Sequence, residues 1–141
     1  VGVKRSVRTA SSFFLKAARR GNASAQFDLA LCYERGSGVP KNARKAFMWY
    51  RAAALAGEVE ALTEVARCLY FGIGVGSDRH KAFEWYLRAA RRNVAEAEYA
   101  VARSYELGDG IPANRARALR WYRRATKHGD PDAQSAVDGL V

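Results

Sequence analysis

Two cysteines, two histidines and three Gly-x-Gly turns are the places where this 141-residue chain could carry chemistry. A bound phosphate would want a glycine-rich loop that follows a strand and adds a further glycine and a lysine. The turns at Gly36, Gly72 and Gly108 lack that further glycine and lysine at phosphate-loop spacing and follow helical patterns, which makes them helix-capping turns. Cys32 and Cys68 lie 36 residues apart, with Ser104 a further 36 along, so they read as small buried residues of equivalent segments. Equivalent helices pack ~9–10 Å apart, beyond the reach of a disulfide, which leaves free thiols. His80 and His128 have no Cys, Asp or Glu cluster at metal-ligand spacing. His128 fits better as a cation at a helix C-terminus. No Ser-x-x-Lys and no Gly-x-Ser-x-Gly occurs anywhere. Asn22-Ala23-Ser24 matches a glycosylation sequon, but Asn22 is equally placed to cap a helix. The chemistry expected of the chain is therefore no catalysis, no cofactor and no metal.

The elements that position these residues follow from an internal repeat of 36. Trp49-Tyr50, Trp85-Tyr86 and Trp121-Tyr122 fall on one grid, and Phe13-Phe14 lies one period earlier. Gly36, Gly72 and Gly108 form a column, as do Gly38, Gly74 and Gly110, and Ala25, Ala61, Ala97 and Ala133. Gly2 and Val3 stand one period before Gly38 and Val39, so the chain is expected to begin inside a turn. The resulting units are a partial repeat over 1–21, full repeats over 22–57, 58–93 and 94–129, and a partial repeat over 130–141.

Each unit predicts two helices. Helix A, at 23–35, 59–71 and 95–107, carries an i, i+4, i+5, i+8 apolar stripe and stops at a glycine that can take the left-handed conformation. Helix B, at 43–56, 79–92 and 115–128, starts behind Asn42, Asp78 or Asn114, with Ser6 in the same column. It closes at Gly21, Gly57, Asn93 and Gly129, after which Asp130-Pro131 reads as N-cap and first residue of another helix A. The Trp column is expected to pack between units, Trp85 most deeply.

These patterns resemble the Sel1-like repeat, a relative of the tetratricopeptide repeat. The shared features are an Ala…Leu-x-x-x-Tyr helix, a Gly-x-Gly-Val turn, a Lys-Ala pair and Trp-Tyr-x-x-Ala-Ala. Leu69 stands where Tyr is usual, and Ala30, Ala66 and Ala102 stand where Gly is commoner. The resemblance implies an all-α, right-handed α/α solenoid whose A helices line a concave face and which binds other proteins as scaffold or adaptor. Penicillin chemistry credited to cysteine-rich members of the family does not carry over, since each unit here lacks the paired cysteines.

Composition agrees with a folded chain: 49% apolar, 27% charged, and no apolar run long enough to cross a membrane. The first residue is Val1, so the chain reads as a processed or trimmed piece. Its net charge of +10 is segregated: helix-A segments hold 12 acids and 3 bases, helix-B segments 21 bases and 2 acids. Basic residues gather near helix-B ends as Lys16, Arg19 and Arg20, as Arg88, Arg91 and Arg92, and as Arg124 and Lys127. They complement helix dipoles, and the alternative function is a basic face that binds nucleic acid or anionic membrane. An RNA-reading repeat would want its cations on the A helices, which are acidic. Sequence-specific nucleic acid is therefore not expected, and a membrane surface is expected to bind only weakly.

The partner-binding face is expected on helix A, on the stripe offset from the core. It comprises Phe27, Asp28, Leu31 and Glu34, then Thr63, Glu64, Arg67 and Tyr70, then Tyr99, Arg103 and Glu106. These residues would receive a protein or peptide. Phe13 and Phe14, with no helix A before them, add the expectation of self-association.

Overall fold

A computed structural model describes residues 2–141, with side chains from Ser6 onward; Val1, on which the expectation of a trimmed piece rests, lies outside them. Among the described residues there are eight helices and no strand: α1 Gly2–Arg19, α2 Ala23–Arg35, α3 Ala43–Leu55, α4 Val59–Phe71, α5 Arg79–Ala90, α6 Ala95–Leu107, α7 Arg115–Lys127 and α8 Ala133–Leu140. They form two compact units, one ending at Ser77 and one from Asp78. Each repeats the pairing of a helix A with a helix B in an all-α solenoid fold.

The caps explain why the helices stop where they do. Asn22, Asn42, Asp78 and Asn114 each accept a backbone N–H three residues on, at 2.8–3.0 Å. Gly36, Gly72 and Gly108 close α2, α4 and α6 in the left-handed region. The second glycine of each turn serves a different purpose. At Gly74 an added Cβ would strike the carbonyl of Ala43, and at Gly110 it would lie 2.5 Å from that of Arg79. The turn thus presses on the first residue of the preceding helix B, and only a residue without a side chain allows it.

In the first unit the core holds Leu29, Ala30, Ala46, Tyr50, Ala53, Val65 and Ala66; in the second it holds Phe83, Val101, Ala102, Tyr105, Ala118, Tyr122 and Ala125. Alanines at the helix crossings let backbones approach closely, and the few large side chains fill what is left. Phe14, Leu15, Tyr33 and Trp49 cover a cluster of Ala18, Ala25 and Leu29. Phe13 stays exposed.

Four expectations need correction. The chain does not open in a turn: α1 runs through Gly2, Val3 and Ser6, so Ser6 is not an N-cap. The column that holds Pro40, Gly76 and Pro112 in the other turns has a lysine at position 4, and no breaker stops the helix. Asp130-Pro131 does not start α8 either. Asp130 Oδ1 accepts from the Asp132 N–H at 3.0 Å, a local turn that delays the helix to Ala133. The tryptophans are not core: Trp49, Trp85 and Trp121 are half-buried, while Tyr50 and Tyr122 are buried. Adjacent helical residues point about 100° apart, so one of each pair faces inward. Tyrosine wins at Tyr50 and Tyr122 because its hydroxyl finds a carboxylate there. Lastly, of the two thiols only Cys68 is buried, and Cys32 is half-exposed.

Candidate functional site: the helix-A face and its charged networks

In the first unit the proposed face is built around one guanidinium. Arg67 on α4 places Nη2 2.7 and 2.9 Å from the two carboxylate oxygens of Glu34 on α2. The same guanidinium donates to Glu64 Oε2, one turn earlier on α4, through Nε at 3.0 Å and Nη2 at 2.7 Å. Tyr50 on α3 adds its hydroxyl, donating to Glu34 Oε1 at 2.8 Å, and its ring leans on Phe27 at 5.7 Å between centroids. Four side chains from three helices, separated by up to 33 residues in sequence, thus meet on one polar cluster. Arg67, Glu34 and Glu64 each keep about a third of their side-chain surface open, at 32%, 30% and 29%.

Electrostatics keep the Tyr50 phenol and the Arg67 guanidinium protonated. Burial, then the hydrogen bond and charge of Glu34, push the Tyr50 phenol well above its ordinary range. Burial alone would lower the pKa of Arg67, but hydrogen bonds and charge from Glu64 and Glu34 outweigh it and raise it further. Asp28, Leu31, Thr63 and Tyr70 are half-buried on the same two A helices. Thr63 turns its hydroxyl onto the Glu60 carbonyl, and Tyr70 packs edge-on against exposed Phe71.

The second unit keeps the aromatic half of the arrangement and loses the clamp. Tyr99 meets Tyr122 at 5.4 Å, and Tyr122 donates to Glu106 at 3.2 Å. Burial, then the charge of Glu106, raise the Tyr122 phenol as well. Arg103 occupies the column of Arg67 and is exposed, and the column of Glu64 holds Ala100 one turn before it.

Lys16, Arg19, Arg20, Arg88, Arg91, Arg92, Arg124 and Lys127 are all exposed. Arg88 lies over the Trp85 ring at 4.5 Å and Arg124 over Trp121 at 4.7 Å, so the half-buried indoles act as shelves for guanidinium groups.

One residue escaped the sequence reading. Glu98, the second acid of the first turn of α6, is 0% exposed. Arg124 Nε reaches its Oε2 at 3.2 Å, and His128 donates from Nδ1 to its Oε1 at 2.6 Å. His128 therefore does more than complement a helix end. The missed signal is the column of Glu98, which holds Gln26 and Leu62 and marks an inward position. His80 makes a separate contact, to the Gly110 carbonyl at 2.9 Å and to Glu84 at 3.1 Å. Among the described residues no group of three or more His, Cys, Asp or Glu is placed to hold a metal ion.

Comparison with known proteins accounts for this architecture. The Sel1 repeat matches residues 1–22, 23–58, 59–94 and 95–130, and the chain belongs to the Sel1-repeat family. A Sel1 repeat protein from Oxalobacter formigenes has a similar structure, with TM-score 0.89 and 34% identity over 94% of this chain and 54% of that one. The protein c5321, described as a protective antigen of uropathogenic Escherichia coli with an SLR fold, matches with TM-score 0.52 and 27% identity over 92% of this chain and 36% of its own. The Helicobacter pylori cysteine-rich protein B shares the fold, with TM-score 0.72 and 20% identity over 95% of this chain and 96% of that one. This chain spans about half the length of the Oxalobacter protein and less of the Escherichia one. Comparison with curated proteins gave no match. Sel1-repeat proteins generally mediate protein–protein interactions and are generally non-catalytic.

Proposed function

We propose that this chain is a protein-binding scaffold or adaptor without chemistry of its own, and that it receives a peptide segment on its helix-A face. The observation that carries this reading is the Arg67 clamp. It fixes Glu34, Glu64 and Tyr50 beside Phe27 while leaving part of each charged side chain open to solvent. Groups held in place before a partner arrives lose little freedom when it binds. With Asp28 and Glu60 nearby, the acids of this face outnumber Arg67, which favours a segment carrying lysine or arginine. Tyr99, Arg103 and Glu106 continue the same columns in the second unit with a lighter charge.

The test is affinity capture with the intact protein against matched variants Phe27→Ala and Arg67→Ala, washed at low and at high salt. Capture of the same partner at both salts, lost in the variants, supports the reading. Partners that depend on the helix-B cations instead, and leave at high salt, would replace it with the alternative of a basic face for nucleic acid or anionic membrane.

A further inference from the structure

We propose that the outer face of α7 is a second docking surface, built for an acidic amphipathic helix of another protein. Ala116, Leu119, Arg120, Arg123, Arg124 and Lys127 line a depression of about 540 Å³. Their spacing, i, i+3, i+4, i+7, i+8 and i+11, places all six on one side of the helix, over a length of about 16 Å. The floor is apolar, with Leu119 half-buried, and the four cations are exposed.

Helix dipoles do not explain this composition. α7 carries six cations and no acid in 13 residues. Arg124 and Lys127 in its last turn complement the dipole, but Arg115 and Arg117 sit in the first turn, where cations are unfavourable. Arg120 and Arg123 stand between, and like charges three and four apart repel along a helix. Arg124 is engaged by Glu98 below it and by the Trp121 face, Arg117 lies over the Tyr105 ring, and Arg115 donates to the Leu140 carbonyl. No ion pair to Arg120, Arg123 or Lys127 is seen among the described residues. α5 and α3 hold Glu84 and Met48 at the position of Arg120 and do not repeat the stripe. A surface that holds this much uncompensated charge is completed by anions from outside.

The form of the surface selects among polyanions. A nucleic acid gains affinity by stacking bases on open aromatic faces, and the Trp121 face is covered by Arg124. A membrane surface wants apolar side chains that protrude into it, whereas Leu119 lies in the floor of a depression. A helix with leucines at i and i+4, flanked by glutamates, places its apolar edge on Ala116 and Leu119 and its carboxylates among the guanidinium groups.

The experiment is a fluorescence anisotropy titration of the full chain with a labelled synthetic peptide bearing leucines and glutamates at that helical spacing. Parallel titrations use a scrambled peptide of the same composition, a single-stranded oligonucleotide and phosphatidylserine vesicles at one salt concentration. The amphipathic peptide should bind at least about tenfold more tightly than its scramble, and tighter than the oligonucleotide or vesicles. Arg120→Glu with Arg123→Glu should weaken it by about tenfold or more, while Arg44→Glu with Arg51→Glu, both exposed on α3, should leave it unchanged. Arg120→Gln with Arg123→Gln gives the same reading should charge reversal disturb the circular dichroism melt. Equal binding of the scramble, tighter binding of the oligonucleotide or vesicles, or wild-type affinity in the folded double variant would each overturn the proposal.

Discussion

The two units solve the same problem, placing charge on a helix A, in opposite ways. In the first, Glu34, Glu64 and Arg67 form a clamp at the surface, each side chain about a third open. In the second, Glu98 is fully enclosed and satisfied by Arg124 and His128. A half-open network exchanges partners at little cost, because water and a ligand can replace one another around it. A buried carboxylate cannot, since losing its partners leaves a charge in a poor dielectric. We read the first as a recognition surface and the second as a piece of the frame.

The sharpest way to break this contrast is to remove the partners of Glu98. Arg124→Ala with His128→Ala should cost about 3–5 kcal/mol in chemical denaturation, because the carboxylate stays buried alone. Glu98→Leu should fall within about 1 kcal/mol of wild type or above it, since Leu62 already fills the same column. A large loss in Glu98→Leu together with a small one in the double variant would reverse our account of the site.

Backbone placement gives the next largest effect. Gly74→Ala should cost about 1–3 kcal/mol, as it combines a positive φ with a collision against Ala43. Gly76→Ala in the same turn, with open space around its Cβ position, is the control and should be close to neutral.

The surface clamp should respond more in binding than in stability. Arg67→Ala is expected to lower stability by about 1 kcal/mol and to abolish partner capture. Tyr50 supplies the pH arm. Its folded pKa is raised, so the phenol's contribution is whole below the ordinary tyrosine value of 10.0 and declines as pH rises above it. Wild type should therefore lose stability on going to alkaline pH along a slope that Tyr50→Phe reduces. The smallest effect is on thiol labelling at neutral pH: burial pushes Cys68 up to about 11, and half-exposed Cys32 should react first. Equal rates would show that Cys68 is less enclosed than its burial indicates.

Most of the fold is legible in the 36-residue repeat. Periodic columns are dictated by contacts that each unit makes in the same way, so helices A, their glycine stops and the Asn and Asp caps could be placed to the residue. Where columns vary, the sequence reading weakened. Position 4 lacks the breaker of its column, and α1 ran on through the expected turn. The tryptophans looked like core because they recur, yet recurrence at Trp85 and Trp121 reflects a shelf for Arg88 and Arg124. Phe27, Glu34, Glu64 and Arg67 were placed on one face by helical spacing alone, whereas the clamp joining α2 to α4 needed two helices in space. Glu98 was hidden by a misleading average: most helix-A acids are solvated, and only its column betrayed an inward direction.

Site-specific photo-crosslinking tests most directly whether the helix-A face holds the partner. A photoreactive side chain at Thr63, beside the clamp, should form adducts with a protein partner at low and high salt alike. The same probe at Arg91, on the basic face, should not yield that adduct. Adducts from Arg91 but none from Thr63, or capture of nucleic acid in place of protein, would contradict the account.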